Sequence, residues 1–188
     1  MKPRITRRFM LAAALLAGAG VAGAADKKAA GPVTDADLAN SVRHEIAMYA
    51  NYSVWDDVDV GVTNGNVHLS GAVLDPAKKV VIEKLVGEVA GVVQVQNDIR
   101  VLPASPADDR LRRGVARAIY GDPSLRLYAN QPFKPIHILV ENGRVTLSGV
   151  VNTELDKQLA GTRASAAGLS FGPVVNNLQV AQAPAKKS

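Results

Sequence analysis

Three histidines, a tight acidic cluster and a run of arginines are the residues in this 188-residue chain whose types could do chemistry. A histidine moves a proton near neutral pH or ligates a metal, but only in the company of other groups. His44, His68 and His137 lie far apart, and "HEIAM" lacks the second histidine that a zinc-protease helix places one turn on. His68 falls between Val67 and Leu69 in an alternating pattern and is expected to face solvent. Ser70 and Ser148 each sit in Leu-Ser-Gly, which is not the strained strand-to-helix turn that exposes a serine nucleophile. Asp56, Asp57 and Asp59 could hold a hard cation, yet they lack the glycine and the closing glutamate of a calcium loop. They are read as a solvated acidic rim, and no catalysis, cofactor or metal site is expected.

Positive charge is the more informative chemistry. Arg110, Arg113 and Arg117 follow one another at spacings of three and four, with Arg112 beside them, on the side of a helix away from Leu111, Val115 and Ile119. Such a cationic face could lie on anionic lipid headgroups. At about 1 kcal/mol per basic residue, the four would supply roughly 4 kcal/mol before Asp108 and Asp109 are discounted. The following stretch, "YGDPSLRLYANQPFKP", holds Tyr120, Tyr128 and Phe133 beside Arg126 and Lys134, and aromatics with basic neighbours suit a headgroup interface. The candidate lipid-contact set is therefore Arg110, Arg113, Arg117, Arg126, Tyr128, Phe133 and Lys134. The competing readings are that the arginines face solvent or hold the molecule together, and that Tyr128 and Phe133 cover the end of a sheet. Tyr49, Tyr52 and Trp55 are open to the same alternatives.

The elements that position these residues come twice. "VTNGNVHLSGAV", Val62 to Val73, returns 78 residues later as "VENGRVTLSGVV", Val140 to Val151, with eight of twelve positions identical. Asn64-Gly65 and Asn142-Gly143 tolerate the positive φ of a two-residue hairpin turn, and alternating Val, Leu and Ile on either side predict the paired strands. Before each hairpin lies a helical row, Leu38, Val42 and Ile46 or Leu111, Val115 and Ile119, opened by Thr34 or Ser105 as a cap. After each hairpin a second helix is expected. Its inward row is Ala77, Val81, Leu85 and Val89 in the first copy, with Leu155, Leu159 and Arg163 in the equivalent places of the second. A last strand closes each copy, Val93 to Val101 and Val174 to Val180. Each unit thus reads helix, strand, strand, helix, strand, and "LPASPADD" links them.

Export and charge bound the function further. Met1 to Ala24 has a basic start, an apolar run and small residues at its end, the pattern of a signal peptide cleaved near Ala24. Arg7 and Arg8 leave open the general and the twin-arginine routes. Four basic and no acidic residues lie in that segment, so the chain after cleavage carries 18 basic and 17 acidic residues and is nearly neutral. The high pI therefore gives no reason to expect nucleic acid as a partner. With no cysteine, the chain forms no disulfide and cannot be lipidated as a bacterial lipoprotein is. The two units differ in sign: residues 34–103 hold five basic and ten acidic residues, and residues 105–181 hold nine and six.

The runs "VTNGNVHLSGAV" with "VVQVQNDIRV", and "IHILVENGRVTLSGVVNTELDKQLAG" with "VVNNLQV", resemble the BON domain, a small bacterial α/β module. Tandem copies behind an export signal are similar to periplasmic BON proteins of the osmotically inducible type. The resemblance implies an α+β fold of two tandem αββαβ units, each a three-stranded mixed sheet packed on two helices. With the export signal and the polar tails read from the residues, the chain divides into a signal peptide (1–24), a flexible segment (25–33), two domains (34–103 and 104–181) and a disordered tail (182–188). The resemblance also implies a non-enzymatic protein of the bacterial envelope that attaches to phospholipid membranes. With the charge distribution, the expectation is a periplasmic protein whose basic second domain meets anionic phospholipid, in envelope maintenance or osmotic stress protection, and whose acidic first domain is free for an envelope protein. The alternative is a soluble periplasmic protein-binding or chaperone-like stress protein without direct lipid contact. The family's Val-x-Gly-Val is present as Val89-Ala90-Gly91-Val92, but "AAGLSFGPVV" departs from it, so the last strand of the second unit is expected to start late or lie at an edge.

Overall fold

In the first unit, helix α1 spans Asp35–Met48 and opens on a capping box: the Thr34 hydroxyl accepts from the Asp37 amide while the Asp37 carboxylate takes the Thr34 amide. Leu38, Val42 and Ile46 are buried along it. Strands β1 (Asp57–Thr63) and β2 (Asn66–Val73) form the expected hairpin, with Asn64 at φ 50° and Gly65 at φ 76°. Helix α2 follows at Pro76–Gly87 under an Asp75 cap. The chain then returns as β3 (Gln94–Asn97) and β4 (Arg100–Val101), both parallel to β2, which is the central strand of a mixed sheet. The computed structural model describes residues 33–181 other than 169 and 171, so the signal-peptide reading of Met1 to Ala24, most of the flexible segment and the tail lie outside the described residues.

The second unit repeats the plan with one insertion. Helix α3 (Pro106–Tyr120) begins under a Ser105 cap, so only the first residues of the expected linker connect the units. A short 3-10 turn (Pro123–Leu125) and helix α4 (Arg126–Ala129) fill the longer connection. Strands β5 (Ile136–Glu141) and β6 (Arg144–Val151), helix α5 (Glu154–Ala166), and strands β7 (Val175–Asn176) and β8 (Gln179–Val180) complete it. The fold is α+β, as expected.

Three details of the chain are repeated because the fold needs them. Gly71 and Gly149 both sit at φ 104°, and a Cβ there would lie 2.2 Å from the Asp57 carbonyl oxygen or 2.0 Å from that of Pro135, so no other residue fits. Asp35 and Asp108, each three residues before the first leucine of its helix, accept from both hairpin-turn amides: Asn64 and Gly65 at 2.7 and 3.1 Å, Asn142 and Gly143 at 2.9 and 2.8 Å. Asn97 and Asn176 break the last strand. Each side-chain oxygen accepts from the amide two residues on, Ile99 or Leu178, while the side-chain nitrogen donates to the Lys79 or Lys157 carbonyl of the second helix. The continuous last strands expected from alternation are therefore two short pieces each, with Ile99 and Leu178 buried at the break.

Two other expectations meet the structure differently. In the second unit pairing of the last strand starts late, at Val175 opposite Thr146, after Gly172-Pro173, where proline supplies no amide. The inward row of the second helix is displaced by one residue: Ile82 and Val86, and their counterparts Ala160 and Ala164, are buried, whereas Leu155 is 73% exposed and Arg163 reaches out to Asp122. Rows one residue apart on a helix differ by about 100°, and several apolar side chains fell on both. Each unit has its own core, one around Leu69 and Ile82, the other around Leu147 and Ile119.

Candidate functional site

Helix α3 is fixed by one face and free on the other. Val115 and Ile119 are buried in the core, and Arg110, Arg113 and Arg117 stand exposed on the opposite side, with no ion pair among the described residues. Arg112 does not belong to that face. It is 2% exposed, donates to the Val140 carbonyl and pairs with Asp109 at 2.6 Å, because its position shares the inward row of Asp108, Val115 and Ile119. The cationic face is thus three arginines rather than four.

The remaining candidates separate. Arg126 is exposed on α4 beside Leu127, which is 58% exposed. Tyr128 leaves the candidate lipid-contact set and follows the competing reading, covering the sheet end as a core residue at 2% exposure. One turn of α4 aims it under the sheet end, where its hydroxyl accepts from the Asn152 amide at 2.7 Å and donates to Asp156 Oδ2 at 2.8 Å. Burial pushes its hydroxyl above the usual tyrosine range, so it stays a donor. Phe133 is 56% exposed and Lys134 is exposed beside it.

The acidic cluster is a rim only in part: Asp59 is exposed and Asp57 half-buried, while Asp56 turns inward. Asp56 is fully buried and accepts from the Ser53 amide and hydroxyl, from the Leu74 amide at 3.0 Å and from Lys78 Nζ at 2.6 Å, so its lone pairs are spoken for. Partial burial first, and then the neighbouring Asp57, holds the Asp59 carboxyl above the usual carboxylate range. Among the described residues no group of three potential ligands surrounds a metal position. His44 lies on α1, His68 bonds Asp98 at 2.8 Å, and His137 tilts against the Tyr52 ring with centroids 5.6 Å apart.

The two units meet through the loop before β1, a role that sequence reasoning missed. Trp55 packs against the core of the second unit, and the Val54 carbonyl accepts from the Ile138 amide of β5 at 2.7 Å. The ion pair that joins them, Arg100 with Glu141 at 3.0 Å, takes its cation from the acidic unit and its anion from the basic one. This pair runs against the net signs of the two units, and none of the α3 arginines forms an ion pair across the junction among the described residues. Beside this junction runs a groove of about 570 Å³, lined by residues that include Ala47, Trp55, Ala116, Tyr120, Phe133 and Lys134. No helix among the described residues is long and apolar enough to cross a membrane.

Comparison with known proteins agrees with the repeat. No curated protein sequence matches the chain. Among solved structures it is similar to CdsD, a structural protein of the type III secretion system of Chlamydia trachomatis, at 17% identity and a TM-score of 0.31, covering 77% of this chain and 61% of that one. It is also similar to a CdsD C-terminal domain structure, at 17% identity and a TM-score of 0.30, covering 79% and 66%. The chain thus spans less than two thirds of each of those chains. The BON domain model matches residues 34–103 and again residues 107–182, and the chain belongs to the BON domain family.

Proposed function

We propose that the protein is a peripheral envelope protein that attaches to anionic phospholipid surfaces through the outer face of α3. BON domains are associated with membrane and phospholipid binding and with envelope stress, and theirs is not an enzymatic family. The observation that carries the finer reading is that Arg110, Arg113 and Arg117 stand exposed along one face of a helix anchored by its other face. Three arginines at about 1 kcal/mol each supply roughly 3 kcal/mol, which is weak, reversible and salt-sensitive attachment. Phe133 and Leu127 would add apolar contact at the headgroup level. The acidic first unit is left to meet an envelope protein, and the reversed signs of Arg100 and Glu141 give no sign that the α3 arginines are needed to hold it. Export to the periplasm and a part in osmotic stress protection belong to the same reading.

The test is sedimentation of the purified protein with anionic and with neutral vesicles, at low and at physiological salt. Binding is expected to anionic vesicles only and to fade as salt rises. Arg113→Glu with Arg117→Glu removes two charges worth about 2 kcal/mol, so binding should fall at least about thirtyfold with the fold intact. Unchanged binding would remove α3 from the mechanism. No binding under any condition would leave the protein-partner reading as the stronger one.

A further inference from the structure

We propose that the groove between the two units takes the acyl chain of an anionic phospholipid, with its headgroup at Lys134 and the arginine face of α3. The inference rests on the membrane reading and names where the lipid's apolar part goes. The groove volume of about 570 Å³ lies in the range of small-molecule sites. Its walls are mostly apolar and aromatic, Ala47 and Trp55 from the first unit against Ala116, Tyr120 and Phe133 from the second, with Ser53 and His137 as polar members. No Asp or Glu lines it, and Lys134 is its one Lys or Arg. A lining of that composition fits an apolar chain that ends in a single anionic group.

The position of the groove on α3 supplies the second argument. Ala116 and Tyr120 form part of its wall, and each stands three residues after an exposed arginine, Arg113 and Arg117. Residues three apart on a helix are surface neighbours, so the wall of the groove borders the cationic face. A lipid whose phosphate meets that face has its tail within reach of the groove. Phe133, more than half exposed at the groove, gives a chain entering from the membrane an apolar contact on the way. The site exists only because two units are joined: neither contributes enough wall alone.

Trp55 is the sole tryptophan of the sequence and lines the groove, so its fluorescence reports on this place in the molecule. The experiment titrates the purified protein with monomeric lysophosphatidylglycerol brominated on its acyl chain, below the concentration at which micelles form. Brominated lysophosphatidylcholine and the unbrominated anionic lipid serve as controls. Saturable quenching by the brominated anionic lipid is expected, at least tenfold weaker with the choline lipid. Ala116→Leu, which fills the groove, and Lys134→Glu, which reverses its charge, should each weaken it at least tenfold while circular dichroism stays unchanged. Absence of quenching would overturn the inference, and vesicle binding that persisted would show that the surface reading survives without it. Quenching that both variants left unchanged would also overturn it, by placing the lipid elsewhere. A shift of Trp55 emission that followed protein concentration rather than lipid would assign the groove to a second copy and would overturn it too.

Discussion

The two units hold the same backbone amide in two chemically different ways. In the first, the amide of Leu74, just past β2, donates to the buried Asp56 carboxylate, which also pairs with Lys78 on the first turn of α2. In the second, the corresponding amide is that of Asn152, 78 residues on, and it donates to the Tyr128 hydroxyl, which in turn donates to Asp156 on the first turn of α5. Asp156 stands 78 residues after Lys78, and Lys134 stands 78 residues after Asp56. Both units pair this partly buried amide, and a donor shielded from water without a partner costs about 1–3 kcal/mol. The fold does not require that the partner be charged. Once the inserted connection delivers Tyr128, the position of Asp56 is released to the surface, and the basic residue there, Lys134, lines the groove. One local exchange thus moves a charge from the inside of one unit to the outside of the other.

The largest effects that would test this comparison lie in the first unit. Asp56→Ala strands Lys78 and the Leu74 amide, and breaking one side of a buried ion pair costs about 3–5 kcal/mol. Tyr128→Phe removes a neutral hydroxyl and leaves the Asn152 amide unsatisfied, for about 1–2 kcal/mol. Urea unfolding of the two variants should show the first clearly below the second; equal losses would mean that the two corners are energetically interchangeable. Between them come the shared glycines. Gly71→Ala and Gly149→Ala each force a Cβ onto a carbonyl oxygen at positive φ, for a loss on the order of 3 kcal/mol. Similar losses at both positions would show that the bulge is common framework, and unequal ones that the two hairpins have diverged.

Much of this framework was legible because it repeats. Paired Asn-Gly turns, alternating strands and hydroxyl caps act through neighbours close in sequence, and each of them appears twice. What was not legible depends on which row of a helix faces inward. Asp108 and Arg112 are charged, so pattern alone assigns them to solvent, yet both are buried and occupied, one with the hairpin turn and the other with the Val140 carbonyl. A signal was present: an aspartate three residues before the first leucine of the helix recurs in both units, as does an asparagine two residues before Ile99 and Leu178. Tyr128 had no such counterpart, because it lies in the insertion that only the second unit has. The candidate surface survives these corrections in reduced form, as Arg110, Arg113, Arg117 and Arg126 with Phe133 and Lys134, without Arg112 and Tyr128.

The smallest expected effect concerns how that insertion is latched. Asp122 is buried, accepts from the Ser124 amide at 2.7 Å and meets the Arg163 guanidinium on α5. The Ser124 amide first, with Arg163 adding to it, holds its carboxyl below the usual carboxylate range. A folded value below the unfolded one, about 3.9 for aspartate, means that the latch stabilises the fold above that pH and is lost as pH falls through the folded value. In the first unit the carboxyl held low is Asp98, by hydrogen bonds from His68 and then Gln96, but it lies on the surface, where solvent screens the interaction. Asp122→Asn should therefore narrow its stability gap to the unmodified protein as pH is lowered from 7 to about 2, whereas Asp98→Asn should leave little gap to narrow. Thermal unfolding across that range checks both. A gap for Asp122→Asn that stayed constant with pH would mean that geometry and not charge latches the connection carrying Tyr128.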